Sequence, residues 1–255
     1  MHDALKPVWQ ALQDLPGPVS CFLRDDDAGW DDSALLGLLE CCAQAAVPLD
    51  LAVIPQATGP QLAAQLRARI DAAPRLLGVH QHGYAHTNHE ALGRRCEFGA
   101  GRTVPAQRND LRQGRARLQS LLGHRLDDIF TPPWNRCATS TSGLLAELGF
   151  AALSRDRTAP LQTDLPELAI DVDWCKHSAG GQADAPALAS ALADAVRRRQ
   201  HSLQPLGLML HHAQMSAADL ALLARWLPAL REHPKLRWRL MREALAEHGC
   251  TMSSA

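Results

Sequence analysis

The chain has 255 residues, 46% of them apolar, and its 26 lysines and arginines nearly balance 27 aspartates and glutamates, for a formal net charge of −1. That balance, without a long block of like charge, excludes the footprint of a nucleic-acid binder, and no apolar run approaches the ~20 residues of a membrane span. The length suits one large α/β domain, so the chain reads as a single domain over residues 1–255, with 213–255 as a C-terminal helical extension.

The first residues, MHDALKPVWQALQDLPG, carry early acidic residues and lack an apolar stretch with a small-residue cleavage site, so a cytoplasmic protein is expected. The seven cysteines, Cys21, Cys41, Cys42, Cys96, Cys137, Cys175 and Cys250, form no C-x-x-C pair and read as reduced thiols. Short apolar runs then alternate with helix-period runs, the pattern of βα units around a parallel sheet or barrel. Strands are predicted over Val19–Arg24, Leu49–Ile54, Leu76–His80, Asp128–Thr131, Phe150–Ser154, Leu168–Val172 and Leu206–Leu210. Helices are predicted over Ser33–Ala45 behind an Asp32 N-cap, Gln61–Ala72, Ala106–Leu122, Thr141–Leu148, Pro186–Gln200 and Ser216–Leu230. The basic stretch Lys235–Arg239 reads as the solvated face of a terminal element with its aliphatic stems packed. The expected fold is α/β, a distorted parallel (β/α) barrel with about seven strands.

Polar clusters fall where these strands end. Asp25-Asp26-Asp27 closes the first, His80-Gln81-His82 the third, Thr131-Pro132-Pro133-Trp134-Asn135 the fourth and Ser154-Arg155-Asp156 the fifth. Asp171-Val172-Asp173-Trp174 closes the sixth and His211-His212 the seventh. Barrel enzymes build their active sites at that rim, so the six clusters point to one site. Loops are polar anyway, which accounts for Ser, Asn and Gly there. It accounts poorly for three adjacent aspartates and paired histidines, whose crowding calls for a cation or proton. His82 and His86 stand four residues apart, close enough to share one ion, and an aspartate could complete a three-ligand site that leaves room for water. A second aspartate alongside would serve as general base.

These residues resemble the motifs of the polysaccharide deacetylases, carbohydrate esterase family four, over about Phe22–His212. The resemblance implies a distorted parallel barrel and a hydrolase that removes an acetyl group from an N-acetylated sugar or glycan precursor, with metal-activated water. It implies one divalent metal ion, zinc first, with iron, cobalt, nickel or manganese as alternatives. By its pattern Asp26 is the base and Asp27, His82 and His86 are the metal ligands, with Asp25 and Asp26 as the competing register. Arg24 shares a side of the strand with Asp26 and would orient it. Gly83 replaces the family's hydroxyl residue in H-[ST]-x-x-H, and Thr131 stands where R-P-P-[FYW] has arginine; Arg24, Arg136 or Arg155 would have to substitute. A backbone N–H near Pro133 or Trp134 would bind the oxyanion. Asp171 and Trp174 match D-x-x-W, with Asp173 as the alternative aspartate. His211 is the implied general acid and His212 its competitor. Trp134 is divided between substrate contact and packing, whereas packing is favoured for Trp30 and Trp174. The long segment Thr87–Gln107 is expected to shape the substrate entrance. Partners would be a small-molecule or glycan substrate, with no nucleic acid and no membrane span. Two other readings are an amide hydrolase acting on a small molecule such as an acylated polyamine, and a relic that binds metal or ligand without catalysis.

Overall fold

The computed structural model describes residues 3–160, 165–179 and 182–252. Eight strands run β1 (Val19–Ala28), β2 (Leu49–Val53), β3 (Leu77–His82), β4 (Leu126–Thr131), β5 (Ala152–Leu153), β6 (Val172–Asp173), β7 (Leu206–Leu210) and β8 (Leu236–Trp238), with a separate short hairpin at Ser178–Ala179 and Gln182–Ala183. Seven of them lie in the order β5-β4-β3-β2-β1-β7-β6, every pair parallel, and curl into a distorted barrel. The stretch predicted as the sixth strand works mainly as the closing seam. Leu168 and Ile170 donate to the carbonyls of Leu153 and Arg155, while the Asp171 N–H donates to Gly207 on the other side.

Helices cover the outside: α1 (Lys6–Gln13), α2 (Asp32–Gln44), α3 (Pro60–Ala72), α4 (Val104–Leu122), α5 (Thr139–Glu147), α6 (Ala185–Arg197), α7 (Ala217–Glu232) and α8 (Met241–Met252). Asp31 rather than Asp32 caps α2, accepting the Ala34 N–H at 3.2 Å, and Ser216 caps α7 in a reciprocal capping box with Asp219. α1, absent from the sequence reading, buries Val8, Ala11 and Leu12 and packs against α6. No helix among the described residues is long and apolar enough to cross a membrane. The six cysteines with described side chains are free; the side chain of Cys250 lies outside the described residues.

The C-terminal segment is more than a helical extension. Leu236 and Trp238 are buried around exposed Arg237, and β8 pairs in parallel with Val19–Cys21, so the basic stretch is a strand of the sheet. The apolar side chains of α8 then enter the barrel floor, where Met241 and Ala244 pack with Phe22, Ile129, Ile170 and Met209. Asp50 reaches down from β2 to accept the Met241 N–H at 2.9 Å, satisfying a donor at the start of α8. Gly78 on β3 is required beside it, because a Cβ there would lie 2.1 Å from Asp50 Oδ1.

Candidate metal centre and active site

The two faces of β1 separate the three aspartates. Cys21 and Leu23 point outward into the layer under the helices, Phe22 and Arg24 point into the barrel, and period-two alternation sends Asp25 outward and Asp26 inward. Alternation alone would turn Asp27 outward again. Instead β1 bulges: between Asp25↔Leu51 and Ala28↔Val53 it carries one more residue than β2, and Asp27 takes the left-handed conformation at φ 72°. The bulge brings two consecutive carboxylates to one site.

Asp27 Oδ1 lies 3.2 Å from His82 Nε2 and 3.1 Å from His86 Nε2, so three potential donor atoms converge. His82 Nδ1–H donates to the Thr131 carbonyl at 3.0 Å, which fixes the tautomer and leaves Nε2 with a lone pair for a cation. This donor chemistry fits a divalent metal. Burial raises the Asp27 carboxyl, but the two imidazoles, when protonated at Nε2, outweigh it by hydrogen bond and charge and hold the group far below its ordinary range. Burial likewise lowers His82, and its bond to Asp27 reverses the direction.

Asp26 is clamped from below. Arg24 Nε donates to Oδ1 at 2.8 Å and Nη2 to Oδ2 at 2.9 Å, a bidentate fork in a pair with almost no solvent exposure. The fork is itself held by Ser154 Oγ at 2.7 Å and Asn135 Oδ1 at 2.7 Å. Burial pushes the Asp26 carboxyl up, yet the Arg24 charge, helped by His82 and His211, keeps it below the usual range and ionised. His211 faces the site from the end of β7, with Nε2 3.9 Å from Asp26 Oδ2 and Nδ1 3.9 Å from Asp173 Oδ1. Together with Trp134 it lines a cavity of ≈ 570 Å³.

Asp25 and His212 form a separate, buried pair behind the strand. His212 Nδ1–H donates to Asp25 Oδ2 at 2.6 Å, Nε2–H donates to the Trp30 carbonyl at 2.7 Å, and the His212 backbone N–H reaches Asp25 Oδ1 at 2.9 Å. Two acceptors on opposite ring nitrogens require the imidazolium. Burial opposes the charge, but Asp25 and the carbonyl raise His212 to about 9.

No family model and no curated protein matches this chain. Solved structures do. A polysaccharide deacetylase-type protein from Mycobacterium smegmatis superposes with a TM-score of 0.68 at 17% identity, over 94% of this chain and 93% of that one. The chain has the polysaccharide deacetylase fold. A family 4 acetyl xylan esterase from Clostridium thermocellum, in complex with a cobalt ion, gives a TM-score of 0.54 at 14% identity over 90% of this chain and 92% of that one. A family 4 pseudoenzyme from Bacillus anthracis gives 0.55 at 13%, over 90% and 66%.

Against the motifs expected of that fold, Asp171 and Trp30 lie elsewhere than the sequence placed them, while Trp174 packs as favoured although its D-x-x-W match also made it a substrate-contact candidate. Asp171 is level with Gly207, low on the barrel wall, where its carboxylate meets Arg199, Arg198 and the Gly207 N–H. It braces the wall and does not support the site arginine; Asp173, level with Met209, is the aspartate at the rim. Trp174 is 2% exposed, sends its indole N–H toward Asp219 and packs edge-on against Trp226, so it is core rather than substrate wall. Trp30 is the reverse case: it is 40% exposed, with its ring 4.6 Å from that of His86. Trp134 flanks His86 on another side at 4.5 Å, in a left-handed turn at φ 56°. Pro133 is buried in that turn.

The two departures from motif each have a local answer. Of the three candidate arginines, Arg24 occupies the place beside Asp26; Arg155 pairs with Glu167 at 2.6 Å and Arg136 turns to the Arg95 carbonyl. Thr131 instead meets His80, whose Nε2 lies 2.8 Å from Thr131 Oγ1; burial and Arg24 depress that imidazole to about 3, so it is neutral. At Gly83 a side chain is excluded, since a Cβ would lie 2.1 Å from Glu97 Oε2 and 2.6 Å from Pro133. Glu97 accepts the N–H groups of Tyr84 at 3.1 Å and Ala85 at 2.8 Å, bracing the loop where a motif hydroxyl is absent. The roles of Glu97, Asn135 and Ser154 went unread in the sequence; the missing hydroxyl at Gly83 was the one hint that another acceptor must exist.

Proposed function

We propose that the chain is a metal-dependent deacetylase of the polysaccharide deacetylase family, its residues forming one catalytic domain, acting on an N-acetylated sugar or glycan precursor. The observation that carries this reading is the convergence of Asp27, His82 and His86 beside an ionised, arginine-clamped Asp26, with His211 across the cavity.

A divalent ion held by Asp27, His82 and His86, zinc before iron, cobalt, nickel or manganese, supplies Lewis-acid polarisation of an acyl oxygen and a lowered pKa for water. Asp26 accepts a proton from the attacking water. Arg24 keeps that carboxylate charged and stationary before the proton arrives, which is the preorganisation a base needs. The prolines of the Thr131–Asn135 turn have no N–H, and those of Asn135 and Arg136 donate to Pro132 and Pro133, so the Trp134 N–H is assigned to the developing oxyanion. His211 delivers the proton to the departing amine, with Asp173 placed to stabilise the imidazolium. Trp30 and Trp134 enclose His86 and offer aromatic faces to a sugar ring.

Acetate release from N-acetylated chito-oligosaccharides and from an N-acetylated polyamine, by zinc- or cobalt-loaded protein, tests the reading. The sugar should be the substrate, and Asp26→Asn should lower turnover on the order of 10²–10⁴-fold. A metal-loaded protein that releases acetate from neither would instead resemble the pseudoenzymes with this fold.

A further inference from the structure

The cavity beside Trp134 and His211 carries more positive charge than its own carboxylates neutralise. Arg155 is matched by Glu167, and Lys176 by Asp156 at 3.1 Å and Asp173 at 3.6 Å. Arg94 and Arg136 also line it, and among the described residues neither has a carboxylate partner. Arg136 donates once, to the Arg95 carbonyl at 3.1 Å.

The fold holds these two guanidinium-bearing segments together. Phe98 bridges to Cys137, the Ala138 N–H donates to the Phe98 carbonyl at 2.8 Å, and Cys96 Sγ approaches the Arg136 carbonyl at 3.3 Å. The segment bearing Arg94 is thereby tied to the turn bearing Trp134 and Arg136. Like charges gathered on one wall repel unless an anion joins them. Burial and then the neighbouring Arg94 charge lower the Arg136 pKa, against smaller upward pulls from Cys96 and Asp156. The chain as a whole is nearly neutral, with a formal charge of −1, so the excess is local. Arginine suits a planar, two-oxygen acceptor because its fork can donate two parallel hydrogen bonds.

We infer that the substrate carries an anionic group, a carboxylate or a phosphate, close to its N-acyl group, and that Arg94 and Arg136 receive it at the outer wall of the cavity. This rests on the deacetylase reading for the identity of the reacting end. It also argues against a polyamine, whose cations would meet the same two guanidinium groups.

The test is calorimetric binding of three probes to metal-loaded Asp26→Asn protein: N-acetylglucosamine, N-acetylmuramic acid with its carboxylate, and N-acetylglucosamine 1-phosphate. At least one acidic sugar should bind roughly tenfold more tightly than the neutral one, as expected for a charge-assisted contact. Arg94→Ala and Arg136→Ala should each erase much of that preference while metal content and melting temperature stay unchanged. Arg136→Lys, which retains the charge and the packing stem, should keep part of it. The better of the two acidic probes distinguishes carboxylate from phosphate. Equal binding of all three, no binding of either acidic sugar, or a preference that survives both alanine variants would overturn the inference. Failure of the deacetylase reading looks different: the acidic preference persists, but wild-type protein releases acetate from none of the probes.

Discussion

Asp26 and Asp50 are both fully buried carboxylates inside the barrel, one at the rim and one near the floor, and the fold treats them in opposite ways. Arg24 decides the difference. Its Cα is level with Asp50 on the neighbouring strand, but its guanidinium reaches upward and gives both nitrogens of the fork to Asp26. Asp50 receives a single backbone donor from Met241, and its Oδ1 has no partner among the described residues. Burial therefore raises Asp50 well above the carboxylate range, with Asp127 adding to the effect, while Asp26 stays ionised. Two equally buried aspartates become a charged carboxylate and a neutral cap for a helix because only one has a close counter-charge.

Removing the counter-charge should have the largest effect. Arg24→Gln strips Asp26 of its fork and is expected to destabilise the fold by about 3–5 kcal/mol, as when one partner of a buried ion pair is lost. Urea unfolding measures that cost, and the pH–rate profile of the surviving protein should move upward as Asp26 becomes harder to ionise. A variant with unchanged stability and profile would mean that Arg24 does not control Asp26.

The pair behind the strand extends the contrast, because there a histidine supplies the counter-charge. His212→Gln should cost about 3 kcal/mol near neutral pH by leaving Asp25 buried and unpaired. His212 has a folded pKa of about 9 against an ordinary 6.5, so its contribution is fully present below 6.5 and disappears as pH rises through about 9. The stability gap between wild type and variant should therefore narrow across that window. A constant gap would assign the loss to packing instead.

The floor should show the smallest effect, with the opposite sign. Asp50→Asn keeps an acceptor for the Met241 N–H and removes a group that must take up a proton to fold. Its raised pKa favours the native state below the unfolded carboxylate range and loses that advantage as pH rises. The variant should thus be more stable than wild type at pH 7, by on the order of 1 kcal/mol, with the gain shrinking toward pH 4. Destabilisation at pH 7 would show that Asp50 is ionised.

Much of this architecture is legible in the sequence because the barrel strands are short apolar runs that end in polar clusters, and strand parity places Arg24 and Asp26 on one face. Four features resist such reading for physical reasons. The bulge at Asp27, with its φ of 72°, is a backbone event that no period-two pattern displays, so parity alone leaves the register among the three aspartates open. β8 is three residues long, and its flanking lysine and arginines hide the Leu236 and Trp238 alternation. Glu97 braces the histidine loop from a segment without periodicity, and its partners are backbone N–H groups that carry no sequence signature. Asp171 and Asp173 share a strand parity, so only their height on the wall, level with Gly207 or with Met209, separates brace from site.

Whether Asp27, His82 and His86 hold one metal ion is decided by native mass spectrometry of zinc-loaded wild type beside His86→Ala. One ion per wild-type chain and its loss from the variant are expected, with both proteins folded by circular dichroism. A wild-type protein that takes up no metal after loading, or a variant that retains it, would mean that these three residues do not form the metal site.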